Sequence, residues 1–158
     1  MFSVEIKGLG GIDKLQAKLK ADIRSGMDKL RAKSEDIIRE SIMSNIYGSV
    51  GGGSAYYFNT RSIANAFTIN VNGLTIDAFM DEGKLSAYSP PPGRFGAYTG
   101  LSGQDFRQGI LQSFETGGSS HIYAVPATGY WSKAVERMQT ELVDELRDHL
   151  ASCGWSVS

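Results

Sequence analysis

The sequence predicts an α+β domain in which an antiparallel sheet with a β-hairpin packs against a long N-terminal helix and a C-terminal amphipathic helix. Three observations support this fold class. Apolar residues recur at three- and four-residue steps from Ile12 to Ile46, and again from Trp131 to Leu150. Between them, apolar and polar residues alternate on both sides of Asn72-Gly73. With 158 residues, the chain has the size of one domain, which we predict to span residues 1–158.

Composition and charge exclude several classes of protein. A hydrophobic share of 41% is typical of a globular chain, and a net charge of −1 gives no general attraction to nucleic acid or membranes. Cys153 is the only cysteine, so no internal disulfide can form and a reducing cytosolic setting is favoured. No apolar run approaches the roughly 20 residues that span a bilayer. Residues 1–7 alternate and do not resemble a signal peptide. We therefore expect no membrane partner.

The first elements are a short strand and a long helix. Phe2, Val4 and Ile6 alternate with polar residues, as in a half-buried strand. The helical pattern from Ile12 to Ile46 predicts a rod of about 50 Å, which Gly26 bends or splits. Because such an apolar stripe is longer than a small sheet can cover, we expect another subunit to share it.

The alternating segments around Asn72-Gly73 predict a hairpin with a two-residue type I′ turn, in which both central residues have positive φ. The predicted register places six apolar residues on one face of the sheet, pairing Val71 with Leu74, Ile69 with Ile76, and Phe67 with Ala78.

The remaining segments are a loop, short strands and a helix. The run Pro90-Pro91-Pro92 predicts a long loop within residues 83–109. Short strands are predicted around a turn at Gly117-Gly118, at Ile110, Leu111 and Phe114 and at Ile122, Tyr123 and Val125. The C-terminal helix carries an apolar stripe and ends before Gly154; the stripe consists of Trp131, Ala134, Val135, Met138, Leu142, Leu146 and Leu150.

We predict no catalytic, cofactor-binding or metal-binding group. His121 and His149 lack a ligand partner at metal spacing, which favours surface or packing roles. Cys153 follows the last helix, and we do not expect it to act as a nucleophile.

Two further segments have a structural and a chemical interpretation. Asp77, Asp81 and Glu82 could bind a cation, but solvated charge on a hairpin face is the favoured interpretation. The glycine-rich loop 48–54 lacks the lysine of a phosphate loop and follows a helix, which favours a flexible hinge.

The predicted first helix is basic and the last helix leans acidic. Three interpretations remain open: a solvated face, a contact between a basic and an acidic face of neighbouring subunits, or a contact with DNA phosphates. Aromatic and arginine residues near loops suit subunit contacts, although each ring could equally cap the domain's own core. The candidate assembly interface comprises Lys14, Lys18, Arg24, Tyr56, Tyr57, Arg61, Arg94, Phe95, Tyr98, Phe106, Arg107 and Trp131.

The order of these segments resembles the neck and tail-completion protein family of long-tailed bacteriophages. Four stretches carry the resemblance, and residues 84–108 look like an insertion relative to that family. The stretches are Ile6-Lys7-Gly8-Leu9 before the long helix, Thr60-Arg61-Ser62-Ile63, the altered motif Phe114-Glu115-Thr116-Gly117-Gly118, and Val125-Pro126-Ala127 before the last helix.

The resemblance implies a structural virion protein at the head–tail junction, acting as a neck, tail-completion or tail-terminator subunit without enzymatic activity. It implies a homo-oligomeric ring, with a hexamer as the leading hypothesis, that contacts head-completion and tail proteins and passively contacts translocating DNA. Assembly would take place in the host cytoplasm. The alternative hypothesis is a small DNA- or partner-binding accessory module that acts through the basic first helix.

Overall fold

The computed structural model describes residues 12–48, 62–85, 110–120 and 123–156. The predicted strand at residues 1–7, the glycine-rich loop beyond Gly48 and most of the predicted loop insertion lie outside the described residues. In the described parts, the protein is a mostly helical α+β structure with small antiparallel sheets. The fold class is therefore confirmed at this level.

The described elements follow one another in a simple order. Helix α1 is followed by a π-helical turn and a short 3-10 turn, then by a hairpin of two strands and a second 3-10 turn. A short helix α2, a small strand pair and the long helix α3 complete the chain. The bounds are α1 Ile12–Ile42, π turn Met43–Tyr47, 3-10 turn Ser62–Asn65, β1 Phe67–Asn72, β2 Thr75–Met80, 3-10 turn Glu82–Lys84, α2 Ile110–Thr116, β3 Gly118–Ser120, β4 Tyr123–Val125 and α3 Tyr130–Ser152.

Helices α1 and α3 form an antiparallel pair. Near the end of α1, the hydroxyl of Ser41 donates to the backbone carbonyl of Tyr130, at the start of α3, over 2.6 Å. At the middle of α1, Gly26 lies against His149 in the last turn of α3. Helix α1 continues through Gly26 without interruption. The glycine therefore does not split the helix; it allows the two helices to approach each other closely.

The apolar stripe of α1 is covered largely within the same chain. Its buried members run from Leu19 to Ile46 and pack under α3 and the hairpin. Leu15, one turn earlier, is 47% exposed. The stripe does not need a second subunit for its cover, because α3 lies antiparallel along α1; the expectation that another subunit shares it stays a prediction. The length of α1 thus gives no independent indication of oligomerisation.

The hairpin forms over the predicted residues but in a different register. The strands pair Val71 with Ile76, Ile69 with Ala78 and Phe67 with Met80. The turn consists of Gly73 and Leu74, with Gly73 at φ +64° in the first central position, where two-residue hairpin turns require a positive φ. The predicted type I′ turn would have required a positive φ at Asn72 as well. Because the shift is two residues, the same side of each strand still faces the core, and Met80 replaces Leu74 on that face.

Residues 110–116 form the short helix α2, so the predicted strand there was wrong. Leu111 and Phe114 are separated by three residues and are both buried, as one face of a helix requires. In the sequence, Ile110 and Leu111 form a short apolar run, which is also typical of a strand. Residues 118–120 and 123–125 form an antiparallel pair. The turn predicted at Gly117-Gly118 does not join these strands, because Gly117 connects α2 to β3 and Gly118 begins β3.

Candidate functional site

The structure describes four of the twelve candidate interface residues. Lys14 and Arg24 are exposed on α1, and neither forms an ion pair with the described part of the chain. Lys18 is engaged within the protein, and Trp131 is half-buried against the ring of Tyr130. The other eight lie outside the described residues, namely Tyr56, Tyr57, Arg61, Arg94, Phe95, Tyr98, Phe106 and Arg107. The predicted interface therefore stays a prediction.

A cluster at the open end of the helix pair holds the terminus of α3 against α1; we call it the end clasp (Lys18, Asp22, Gly26, His149 and Trp155). Helix α3 ends in a Schellman motif, in which the N–H of Trp155 donates to the carbonyl of Leu150 over 3.0 Å and Gly154 adopts φ +88°. This turn brings the Trp155 indole back to α1, where its N–H donates to the Asp22 carboxylate over 2.8 Å.

Lys18 completes this side of the end clasp. Its ammonium donates to the Asp22 carboxylate over 3.1 Å and to the carbonyl of Cys153 over 3.2 Å. It also lies 4.8 Å from the centre of the Trp155 ring, within the range of a cation–π contact. The candidate interface residue Lys18 is therefore occupied in an intramolecular contact.

His149 fills the other side of the end clasp and is only 9% exposed. Its Nε2 lies 2.8 Å from the backbone carbonyl of Asp22, which can only accept, so Nε2 carries the proton. The ring rests directly on Gly26, because a Cβ there would lie 2.7 Å from the ring carbon Cδ2. Of the two roles predicted for His149, the structure supports packing between helices.

The end clasp should make the free energy of unfolding fall as the pH becomes acidic. Hydrogen bonds from Trp155 and Lys18 hold the pKa of the Asp22 carboxyl below its ordinary value. Because the folded-state pKa is depressed, the carboxylate's contribution is present above the unfolded pKa of about 4 and is lost as the pH falls through the folded-state pKa. We expect Asp22→Asn to destabilise the protein at pH 7 and to differ less from the wild type at pH 3.

The measurement is urea unfolding of both proteins at the two pH values. Asp36→Asn is the matched control, since Asp36 is exposed on the same helix. A stability difference for Asp22→Asn that stays constant from pH 7 to pH 3 would refute the assignment.

Charged residues of α1 and α3 meet along the seam between the two helices. Glu141 accepts from Arg137 over 2.7 Å and pairs with Lys33 at 3.1 Å, and Arg137 also reaches Glu40 over 3.0 Å. These contacts hold the pKa of Glu141 below its ordinary value, with the hydrogen bond from Arg137 as the largest cause. Part of the predicted complementarity between a basic and an acidic helix is therefore realised inside the chain.

The carboxylates considered for chemistry accept hydrogen bonds from the fold. Asp81 accepts from the Thr68 hydroxyl over 2.6 Å and from the Gly83 N–H over 3.1 Å. Glu82 accepts from the backbone of Leu111, in the first turn of α2, over 3.3 Å. Asp77 alone of the three is exposed without a partner in the described chain. Two of the three are thus structural acceptors, and only Asp77 matches the predicted solvated charge.

Glu115 caps the long C-terminal helix from outside. Its carboxylate accepts from the backbone N–H groups of Trp131 over 2.7 Å and of Ser132 over 3.1 Å, and it also contacts the Ser132 hydroxyl. Backbone N–H groups in the first turn of a helix lack partners within the helix, and a carboxylate complements the helix dipole there. Glu115 therefore fastens α2 to the start of α3.

In the described part of the chain, neither β1 nor β2 of the hairpin has a second neighbouring strand. Two contacts establish which backbone groups point outward. The N–H of Asp81 donates to Ala66 over 2.9 Å, and the outward carbonyl of Phe67 accepts from the Lys84 ammonium over 2.6 Å. Alternation along the ladder then directs the backbone groups of Ile76, Ala78 and Met80 away from β1.

The outer face of the hairpin carries an unusual pair of side chains. Phe79 is 46% exposed, next to exposed Asp77 on the same face of β2. A six-residue edge strand such as β2, whose outward side has no partner strand among the residues that the structure describes, is a template for pairing with another chain. Sequence reasoning found the hairpin but not this edge, because which strand lies outermost depends on the tertiary packing of β1 on α1.

Among the described residues, no three histidine, cysteine or carboxylate side chains are grouped as a metal site. No described helix combines the length and apolar character needed to cross a bilayer. Comparison with protein-family models, with curated proteins and with solved structures finds no match to this chain.

Proposed function

We propose that this chain is a non-enzymatic structural protein of the bacteriophage head–tail junction, a neck, tail-completion or tail-terminator subunit that joins or seals head and tail by self-assembly. The observation that carries the proposal is the hairpin, whose β2 strand has no second neighbouring strand in the described part of the chain and carries the exposed Phe79. The resemblance of the four short motifs to the neck and tail-completion family supplies the place of assembly.

The use of the polar groups supports a structural role. Asp81, Glu82 and Glu115 accept hydrogen bonds from backbone or hydroxyl groups, and His149 packs between helices. None of these four groups is held ready for a substrate. Their contacts hold the hairpin, α2 and the two long helices together.

The proposed mechanism is mechanical. The amphipathic helix α3 covers α1, and the two helices form a stiff pair. The hairpin packs against this pair, because Ile38, Tyr130 and Phe67 belong to one continuous core. Copies join through the hairpin and through the aromatic and arginine residues of segments 56–61 and 94–107. A ring, most simply a hexamer, surrounds the conduit and presents one face to head-completion proteins and the other to tail proteins, with only passive DNA contact.

The alternative, DNA binding through α1, has weaker support. Lys18 is held in the end clasp, Arg31 is paired with Glu35 and Lys33 with Glu141, so three cations of the basic helix are already compensated. The exposed remainder, Lys14, Lys20, Arg24 and Lys29, is interrupted by Asp28. A duplex-binding helix would need a denser positive stripe.

The experiment is electron microscopy of the purified protein, with gel-shift measurement at low salt as a second arm. We expect closed rings of uniform diameter and no salt-dependent DNA affinity. Single domains without rings, together with DNA binding that is lost on replacing Lys14 and Lys29, would favour the accessory module instead.

A further inference from the structure

We propose that β2 is the docking edge for an extended segment of a different, neighbouring protein, in which apolar side chains alternate with arginine or lysine. The segment adds one strand to the hairpin by pairing with the outward backbone groups of β2. This inference rests on the proposed function for its place in the virion, and it names the chemistry by which a head-completion or tail protein is recognised.

The backbone of β2 supports the addition of a strand. The N–H and C=O groups of Ile76, Ala78 and Met80 point away from β1, because the residues between them exchange their hydrogen bonds with β1. No other strand among the described residues pairs with this side of β2. The two-residue spacing of the outward groups matches the ladder that an added antiparallel strand forms.

The core-facing side of β2 favours apolar residues in the added strand. Ile76, Ala78 and Met80 pack against the core of the domain, but each of them is only partly buried. Side chains of an added strand that lie on the same face of the sheet pack beside these three residues. Apolar side chains at every second position of the segment therefore complete their cover.

The outer face of β2 presents an aromatic ring between two carboxylates. Asp77 and Phe79 are exposed on this face, and Asp81 continues the two-residue spacing with an extended backbone directly after the strand. Asp81 accepts hydrogen bonds only from the neutral Thr68 hydroxyl and the Gly83 N–H among the described residues. Its charge is therefore not compensated by a described cation.

The cation closest to this stripe in sequence is directed elsewhere. The ammonium of Lys84 donates to the carbonyl of Phe67 on β1, over 2.6 Å, and so lies at the opposite edge of the hairpin. Asp77 forms no ion pair with a described residue. The outer face of β2 is thus acidic, with an exposed ring in the middle of the acidic stripe.

The geometry of a ladder places a cation of the added strand against this stripe. Asp77 and Phe79 occupy the positions that form no hydrogen bonds with an added antiparallel strand, and facing side chains are closest at such positions. An arginine or lysine there pairs with the Asp77 carboxylate. The same cation also lies against the face of the Phe79 ring, which attracts positive charge.

The described strands of a second copy do not offer this chemistry. None of β1, β2, β3 and β4 contains a lysine or an arginine. The outer face of β1 carries Thr68, Asn70 and Asn72, and a second β2 would bring carboxylates against carboxylates. Nucleic acid is disfavoured for the same reason, because its phosphates would meet acidic side chains. The acidic stripe therefore favours a basic strand from a different protein.

The test is the binding of labelled synthetic peptides to the full chain, measured by fluorescence anisotropy. The first peptide alternates valine with arginine over six residues, the length of β2. The second carries glutamate in place of arginine, and the third carries one proline at its centre. We expect the arginine peptide to bind, and the other two to bind roughly tenfold or more weakly, because like charges repel and proline lacks the N–H of the ladder.

Charge reversal in the protein locates the binding at β2. Asp77→Lys should weaken binding of the arginine peptide roughly tenfold and strengthen binding of the glutamate peptide. Asp28→Lys is the matched control, since Asp28 is exposed on α1 near the end clasp and the net charge changes by the same amount. The control should stay within about twofold of the wild type. Equal losses in the two variants, or equal binding of the arginine and glutamate peptides, would overturn the inference.

The inference and the proposed function fail differently. Rings formed by a protein that binds no arginine peptide would overturn the basic strand as partner and leave the structural function standing. A monomer that binds the peptide and loses it in Asp77→Lys would overturn self-assembly and support the docking edge. Ala78→Pro removes one outward N–H of β2. If no peptide binds and this variant no longer self-associates, a second copy occupies β2 and the inference is overturned.

Discussion

Replacing Gly26 with leucine is expected to lower the free energy of unfolding by about 2–3 kcal/mol. The ring of His149 occupies the space that any side chain at residue 26 would need, and a Leu146 methyl lies 3.3 Å from the same point. The His149 ring cannot easily move away, because its Nε2 is hydrogen-bonded to the Asp22 carbonyl and lies 3.0 Å from the Ser25 hydroxyl. A leucine at residue 26 must therefore push α1 and α3 apart where Gly26 and His149 meet.

The predicted loss of stability in Gly26→Leu is opposite in sign to the effect of the same substitution at an exposed helix position. In an exposed helix position, replacing glycine with leucine stabilises by roughly 0.8 kcal/mol, since glycine is a poor helix former. Ala32→Leu, at an exposed position of the same helix, is the control for a longer side chain and should change stability by less than about 0.5 kcal/mol.

Combining Gly26→Leu with His149→Ala should recover part of the loss, because the alanine leaves room for leucine. Urea unfolding of the wild type, Gly26→Leu, His149→Ala and the double variant gives the coupling energy between residues 26 and 149. A stabilising effect of Gly26→Leu, or strictly additive effects in the double variant, would show that the helices do not approach each other at this point.

The second large effect is expected from Tyr130→Ala, which should cost about 3–5 kcal/mol. Tyr130 is 1% exposed at the start of α3 and connects three parts of the fold. Its hydroxyl lies 2.9 Å from the sulfur of Met80 in β2, and its backbone carbonyl accepts from Ser41 in α1. Removing the ring leaves a cavity where the helix pair meets the hairpin.

Tyr130→Phe separates the hydroxyl from the ring and should cost about 1 kcal/mol, because the lost bond is to a weak acceptor. The two proteins should also differ in alkali. Burial raises the pKa of Tyr130, with Glu115 and Glu82 adding to the shift. Stability from this group is present below the unfolded pKa of about 10 and is lost as the pH rises beyond it.

Thermal unfolding between pH 8 and pH 11 measures both effects. Tyr130→Phe should lose less stability than the wild type above about pH 10. An alanine variant within about 1 kcal/mol of the wild type would place the ring outside the core and contradict the described packing.

The elements that sequence reasoning predicted well are those with long periodic patterns. Over α1 and α3, many apolar residues repeat with the helical period, so one irregular position such as Gly26 does not change the outcome. The short elements were decided by tertiary contacts. Residues 110–116 hold too few apolar positions to separate strand from helix, and α2 forms because Glu82 caps its first turn while Phe114 reaches the core.

The hairpin shows a different limit of sequence reasoning. The Asn72-Gly73 pair locates the turn, but a two-residue shift keeps every apolar side chain on the same face of the sheet. Hydrophobic pattern alone therefore cannot choose between the two registers. The observed register adds a pair between Phe67 and Met80, and Met80 then meets Tyr130.

The end clasp and the strand edge were not visible in the sequence. Trp155 is more than one hundred residues away from Lys18 and Asp22, and it meets them only because α1 and α3 are antiparallel. Gly154 was predicted as a helix stop, and its left-handed conformation is what returns Trp155 to α1. The charges of α1 were noticed, but their intramolecular partners on α3 could not be predicted from composition.

The central claim, self-assembly of a structural subunit, is tested most directly by sedimentation velocity of the purified full chain over a hundredfold range of concentration. We predict a single large species of fixed mass, a whole-number multiple of the 17.1 kDa chain, in exchange with monomer. A hexamer is the leading expectation. A monomer that sediments unchanged across the whole range would contradict the account.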